Sequence, residues 1–292
     1  MTQPSLNRRQ FLASTLSTAV VAGGCKSMPL IGGRPGKDMR FGLVTYLWGK
    51  DWDLPTLIGN CEKSEVLGVE LRTTHAHGVE RDLTASERGD VKKRFDDSPV
   101  VLVGIGSNER FDHPNPGDLQ NAIEATKAFV RLSHDVGGRG VKVKPNSFHE
   151  GIPHQKTIQQ IGESLNVVGK YGADYGQEIR LEVHGECSPL PIMNSIMEVA
   201  DHPNVGVCWN SNGQDLEGRG LEYNFHLVAD RFGQTAHVRE LNMGNYPYQR
   251  LMNLFKEIDY DGWILLEART DPAHPVQALI EQRQVFESMV SG

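Results

Sequence analysis

Cysteine is scarce in this chain, and its spacing carries no metal signature. There are 4 cysteines in 292 residues, with no CxxC pair and no Cys/His cluster, which excludes a zinc-ribbon type of structural site. Cys25 belongs to the N-terminal leader discussed below. The other three, Cys61, Cys187 and Cys208, do not make a disulfide framework. Cys208 lies inside an apolar strand-like run and reads as a buried thiol, and Cys187, just after the preceding strand, is a candidate neighbour. A basic run is also missing. Asp and Glu number 37 against 30 Lys and Arg, a net charge of -7, which leaves little to hold a phosphate backbone and makes the chain a poor candidate for binding nucleic acid; none is expected as a partner. The apolar stretch from Phe11 to Ala22 is too short to be a stable bilayer span. Finally, no Gly-rich phosphate fingerprint follows the first strand-like segment, which argues against an open dinucleotide-binding sheet.

What is present is ordinary globular material, 38% hydrophobic and 23% charged, enough for a large core. The first 37 residues read as processing sequence. Asn7-Arg8-Arg9-Gln10-Phe11-Leu12 is a twin-arginine export signal followed by its short apolar stretch. Ala22-Gly23-Gly24-Cys25 resembles a lipobox, although Ala22 is a weak residue at that position. The expected organisation is a signal over 1–25, a flexible tether over 26–37, and a single domain over 38–292. The expected location is outside the cytoplasmic membrane, either free in the periplasm or membrane-anchored through a lipidated Cys25. Removing the leader also removes Arg8 and Arg9 and no acid, so the mature chain is more acidic still.

From residue 38 the chain alternates. Strand-like apolar runs start near Phe41, Val69, Val100, Val141, Ile179, Val205, Thr235 and Trp263. Helix-like stretches cover 53–66, 84–95, 116–136, 154–172, 189–200, 216–232, 247–258 and 274–289. Asp53-Leu54-Pro55, Asn115-Pro116 and Ser188-Pro189 are helix starts; Leu67-Gly68, Gly137-Gly138 and Tyr171-Gly172 are helix ends. Strand–helix units repeated through a segment of this length predict a single (β/α)8 barrel, whose chemistry sits at the C-terminal ends of its strands.

Period-two alternation assigns the inner face. It holds Glu70 and Arg72 on the second strand, Lys142 and Lys144 on the fourth, Glu182 and His184 on the fifth, Asn210 on the sixth, His237 and Arg239 on the seventh, and Glu267 on the eighth. His75 and His77 follow the second strand, Glu240 the seventh and Arg269 the eighth. One such residue is most simply a structural ion pair. So many on one side of one barrel point to a functional cavity, because buried charges cost several kcal/mol each when unpaired.

The order Glu182, Asn210, His237, Glu267 over four successive late strands resembles the xylose isomerase-like TIM-barrel superfamily. That group includes sugar isomerases and epimerases, hydroxypyruvate isomerases and zinc AP endonucleases. The resemblance runs over the whole chain after about residue 38. It rests on Leu181-Glu182-Val183-His184, Val205 to Asn210, His237-Val238-Arg239-Glu240, and Tyr260-Asp261-Gly262-Trp263 with Glu267. It implies one divalent ion (Mn, Zn, Co or Mg) held by Glu182, Asn210, His237 and Glu267. The chain departs from the epimerase pattern at three positions. Asn210 stands where an Asp is usual, Gly213 where a His is usual, and Met243 where an Arg is usual. His184, Asn212 and Arg239 are the candidate substitutes.

The resulting expectation is a metal-dependent isomerase or epimerase of a keto-sugar or sugar acid. Glu182 and Glu267 are its catalytic acid and base, working through an enediolate. Arg72, His77, Lys142, Lys144, His184 and Arg239 are candidate substrate contacts, and Trp48 a candidate stacking surface. The basic residues suit a carboxylate or phosphate on the substrate; export makes a free sugar, oxidised sugar or uronate the better fit. The partner is thus a small carbohydrate, with self-association of the chain left open. The alternatives are a non-catalytic or metal-free carbohydrate-binding barrel, a related sugar lyase and, weakly, a DNA-repair nuclease, against which the acidity and the export signal both speak.

Overall fold

The computed structural model describes residues 38–291. The twin-arginine segment, the Cys25 lipobox and the tether over 26–37 lie outside the described residues. Eight parallel strands close a barrel in sequence order: β1 (Arg40–Val44), β2 (Gly68–Arg72), β3 (Val101–Arg110), β4 (Gly140–Lys144), β5 (Glu178–Glu182), β6 (Val205–Asn210), β7 (Phe232–Val238) and β8 (Trp263–Leu266). Pairing of β1 with β8, from Arg40 opposite Trp263 to Leu43 opposite Leu266, completes the ring. A helix follows each strand: α1 (Leu54–Ser64), α2 (Ala85–Asp96), α3 (Pro116–Asp135), α4 (His154–Asp174), α5 (Leu190–Val199), α6 (Leu221–Val228), α7 (Tyr248–Glu257) and α8 (Pro275–Val290). The architecture is therefore the (β/α)8 barrel that the alternation predicts. None of the described helices is long and apolar enough to cross a membrane.

The helix starts are local chemistry. Asp53 caps α1 by accepting from Thr56 N at 2.8 Å. Thr84 and Glu87 form a reciprocal capping box on α2, and Asn115 accepts from Gly117 N at 2.7 Å ahead of Pro116. Each satisfies amide donors that the first helical turn leaves open. Two expected helix ends are placed differently. Gly68 does not close α1; Glu65, at φ 55°, does, and Gly68 is the first residue of β2. Gly172 lies within α4, and Gly176, at φ 62°, follows that helix. The helix expected over 216–232 is broken at its start by Gly218 and Gly220, both at positive φ. It is reduced to α6 between two short 3-10 turns, and β7 consequently begins at Phe232 rather than Thr235.

Alternation sorts the strands into two packing environments. Val69, Leu71, Val141, Val143, Ile179 and Leu181 are fully buried between the barrel and its helices. The barrel's own interior is mostly polar, and its apolar content is a small cluster of Val44, Val103, Trp263 and Leu265, with Tyr46 packed on it. At the N-terminal end, the Trp263 ring occupies the space that a Cβ on Gly68 would need. Arg180 is buried too. Its Nε donates to Glu178 Oε2 at 3.0 Å and its Nη1 to the Val103 carbonyl at 3.2 Å, with Gly104 and Gly140 leaving room for the guanidinium. The floor of the barrel is thus an ion pair and an indole, and the C-terminal end remains for chemistry.

Candidate active site

Glu182 ends β5, Asn210 ends β6, His237 is the penultimate residue of β7, and Glu267 follows β8 by one residue. All four side chains are buried and face one another. Asn210 Nδ2 donates to Glu182 Oε1 at 2.7 Å and, more weakly, to Glu267 Oε2 at 3.4 Å. Ligand atoms of Glu182, His237 and Glu267 all lie within 4.8 Å of one another. The four residues that the family resemblance implies as ligands therefore converge on one point.

The rest of the inner face closes around them. Lys142, fully buried on β4, donates from Nζ to Glu182 Oε2 at 2.7 Å. Glu182 thus has both oxygens engaged, one by an ammonium and one by an amide. Burial would raise its pKa, but Lys142 first and His237 next outweigh burial and hold the carboxyl well below the usual range. Burial likewise works against the Lys142 charge, and Glu182 and Glu70 overcome it, so the ammonium stays charged. Glu267 is held loosely, with Arg72 Nη1 no closer than 4.0 Å.

Glu70 is the residue that sequence reasoning placed on the inner face without giving it a role. It is fully buried 3.2 Å from His237 Nε2, and neither of its oxygens has a hydrogen bond. Burial pushes its pKa up, while His237 and Lys142 pull it below the ordinary value. His237 is correspondingly raised well above the ordinary histidine value: burial opposes its charge, and Cys208 and Glu70 outweigh burial. The signal for Glu70 was its shared parity with Arg72 two residues on.

Four of the predicted substrate contacts reach the mouth. Arg72 Nη2 and Lys144 Nζ both donate to Asn108 Oδ1, at 2.8 Å and 3.0 Å. Arg239 Nη2 donates to Asn212 Oδ1 at 2.9 Å. His184 Nδ1 contacts Asn146 Oδ1 at 3.1 Å and lines a cavity of about 540 Å³ with Asn210, Asn212 and Arg269. Two others are committed elsewhere. His77 is buried, with Nε2 on the Arg72 carbonyl at 2.7 Å and Nδ1 accepting from Val79 N at 3.0 Å, so it ties down the loop after β2. Trp48 is buried too, its indole donating to the Thr270 carbonyl at 2.9 Å. Tyr46, just after β1, is half-buried, with the Arg72 guanidinium 5.1 Å over its ring.

The donor set suits a divalent ion. Two carboxylates and an imidazole meet, both His237 nitrogens lack a hydrogen bond, and Asn210 Oδ1 is a buried acceptor without a partner. Turning the Asn210 amide over would present that oxygen to the same point without moving backbone. The neutral amide and the Lys142 ammonium both lower the negative charge at the site relative to four anionic or imidazole ligands, and so reduce its pull on a cation.

The family profile described as a xylose isomerase-like TIM barrel matches residues 59–289. The chain belongs to that family. Structures of family type superpose on it over nearly all of the barrel. A 3-keto-D-glucoside 4-epimerase from E. coli shares 14% identity, with 86% of this chain and 99% of the other covered at a TM-score of 0.73. An L-ribulose 3-epimerase shares 14% identity over 87% and 95%, at 0.74. The IolI protein with a binding zinc atom shares 15% over 87% and 98%, at 0.72. At such identities the likeness is one of fold. A search of curated proteins returns no match.

Proposed function

We propose that this member of the xylose isomerase-like family is a divalent-metal-dependent isomerase or epimerase of a keto-sugar or sugar acid. The observation that carries the reading is the convergence of Glu182, His237 and Glu267 within 4.8 Å at the barrel mouth. The sugar epimerases among its structural neighbours support it.

In this reading Glu182, Asn210, His237 and Glu267 would hold the ion, which when bound would supply Lewis acidity. Proton transfer falls to Glu267, because its contacts are long, at 3.4 Å and 4.0 Å, and a carboxylate so loosely held can turn toward a C–H bond. Glu182, held by Lys142 and Asn210 at 2.7 Å each, stays ionised and orients the hydroxyl-bearing end of the sugar. Return of the proton from Glu267 to the neighbouring carbon would give isomerisation; epimerisation would need a second donor on the opposite face of the same carbon, for which the proton shared between Lys142 and Glu182 is the candidate. Loss of a hydroxyl after the same proton abstraction would give a lyase.

The test is solvent deuterium uptake. Incubation with D-fructose, D-tagatose or a keto-sugar acid in D2O with Mn²⁺ should introduce deuterium next to the carbonyl, and Glu267→Gln should abolish uptake. Absence of uptake into every keto-sugar, with metal bound, refutes the enzyme. A second reading, a metal-free carbohydrate-binding barrel, draws on the Lys142–Glu182 pair and the neutral Asn210; a metal-free protein that binds sugar without exchange would favour it.

We also propose that residues 1–25 export the chain by the twin-arginine route and that Cys25 is lipidated. Arg8→Lys with Arg9→Lys should leave the protein in the cytoplasm, and Cys25→Ala should release it from the membrane fraction.

A further inference from the structure

Three cations at the barrel mouth are paired differently from many of the others. Several on the outer helices meet acids: Lys92 with Asp96, Lys93 with Asp97, Arg250 with Glu222 and Glu257. Inside the barrel Lys142 meets Glu182, and Arg180 meets Glu178. Arg72, Lys144 and Arg239 instead meet amide oxygens. Among the described residues Lys144 and Arg239 have no ion pair, and the acid nearest Arg72 is Glu267 at 4.0 Å. The Nε atoms of Arg72 and Arg239 are buried without a partner. Lys144 shows the strain of this arrangement, since burial and the charge on Lys142 push its pKa down to about 8.

One oxygen therefore serves two cations from strands on either side of it. Asn108 Oδ1, on β3, accepts from Arg72 on β2 and Lys144 on β4. A neutral amide is a weak counterpart for two positive groups taken partly out of water, since hydrogen bonds to an ionised acceptor are roughly twice as strong. Asn108 is exposed, so it can be displaced at little cost. A carboxylate would offer two oxygens in a plane to the guanidinium fork and the ammonium together.

We propose that the substrate is a sugar acid, whose carboxylate displaces Asn108 and bridges Arg72 and Lys144. The inference rests on the proposed function only in taking this mouth as the place where the sugar enters. Arg72 then orients the chain of carbons: it lies between Asn108 at 2.8 Å and Glu267 at 4.0 Å, so the acid end of the ligand would be fixed beside the carboxylate assigned to proton transfer. Tyr46, under the guanidinium, gives the sugar an apolar wall.

The experiment is calorimetric titration of the full-length protein with D-glucuronate and D-galacturonate, against D-glucose and D-galactose as neutral partners and D-fructose 6-phosphate as the phosphate probe. The uronates should bind at least tenfold more tightly than the neutral hexoses, with a preference that falls as salt rises. Arg72→Gln and Lys144→Gln should each remove that preference. Asn108→Asp should remove it as well, by supplying a resident carboxylate, and this variant should keep or raise the melting temperature, which separates loss of binding from loss of fold. Equal affinities, a preference that survives Arg72→Gln with Lys144→Gln, or tighter binding of the phosphate would each overturn the assignment. Deuterium uptake distinguishes the two readings. Uptake into neutral keto-sugars with no preference for acids sinks this inference alone. Tight uronate binding without uptake into any keto-sugar sinks the proposed function alone.

Discussion

Lys142 and Glu182, 40 residues apart in the chain, form a 2.7 Å ion pair that is buried on both sides. A buried pair of this kind is costly to break from one end, because the survivor remains charged in a poor solvent. Lys142→Met should therefore destabilise the fold by about 3–5 kcal/mol. The double variant Lys142→Met, Glu182→Gln should recover much of that loss. Urea unfolding of the four members of the cycle measures the coupling; a simple sum of the two single effects would mean that the pair carries no mutual stabilisation.

Asn210 sets the charge of the candidate metal site. Asn210→Asp should raise affinity for Mn²⁺ or Zn²⁺ by about tenfold or more, since added carboxylate charge tightens divalent binding. The same change should lower the melting temperature of the metal-free protein, because a new acid joins Glu70, Glu182 and Glu267. Thermal melts with and without Mn²⁺ report both effects, and elemental analysis should show the ion lost in Glu267→Gln.

Asp215 makes stability depend on pH. It is fully buried, and burial pushes its pKa from the ordinary 3.8 up to about 7, against the opposing pull of the Asn212 amide, the Tyr246 hydroxyl and Arg239. A carboxyl with a raised folded value holds its proton more tightly when folded. Its contribution is complete below pH 4 and is lost as pH climbs toward 7, at a slope of up to roughly 1.4 kcal/mol per pH unit. Asn can still accept from Asn212 N and Tyr246, which lie 2.8 Å and 2.7 Å from Asp215 Oδ2. Asp215→Asn should then remove that slope, so the variant gains on the natural protein between pH 4 and 7. Parallel unfolding curves across that range would contradict this.

Two glycines should respond in opposite directions. Gly68→Ala forces a methyl into the Trp263 ring and should cost about 1–3 kcal/mol or more. Gly89, in α2, has nothing near the position of a Cβ, and Gly89→Ala should stabilise by about 0.5–1 kcal/mol. Chemical denaturation of each variant decides both.

The barrel was legible in the sequence because period-two runs alternate with capped helical stretches, and parity alone put Glu70, Arg72, Lys142, Glu182, Asn210, His237 and Glu267 on one face. Parity does not say which partner a side chain chooses. His77 and Trp48 carry suitable chemistry at suitable places, yet backbone carbonyls claim them, and such contacts depend on loop paths that no strand pattern encodes. Arg180 shares the parity of Glu182 and was available to the same reasoning; its depth in the barrel, rather than its face, makes it part of the floor. The role of Asn108 was hidden because a lone amide on a strand has no signature until two cations are seen to share it.

The plugged base of the cylinder, with an indole in the notch at Gly68 and a guanidinium across Gly104 and Gly140, dictates traffic. Reactant and product must use one doorway, so a product slow to depart blocks the next arrival. Any small molecule wedged against His184 and Arg269, which line that doorway, would stop entry and exit together.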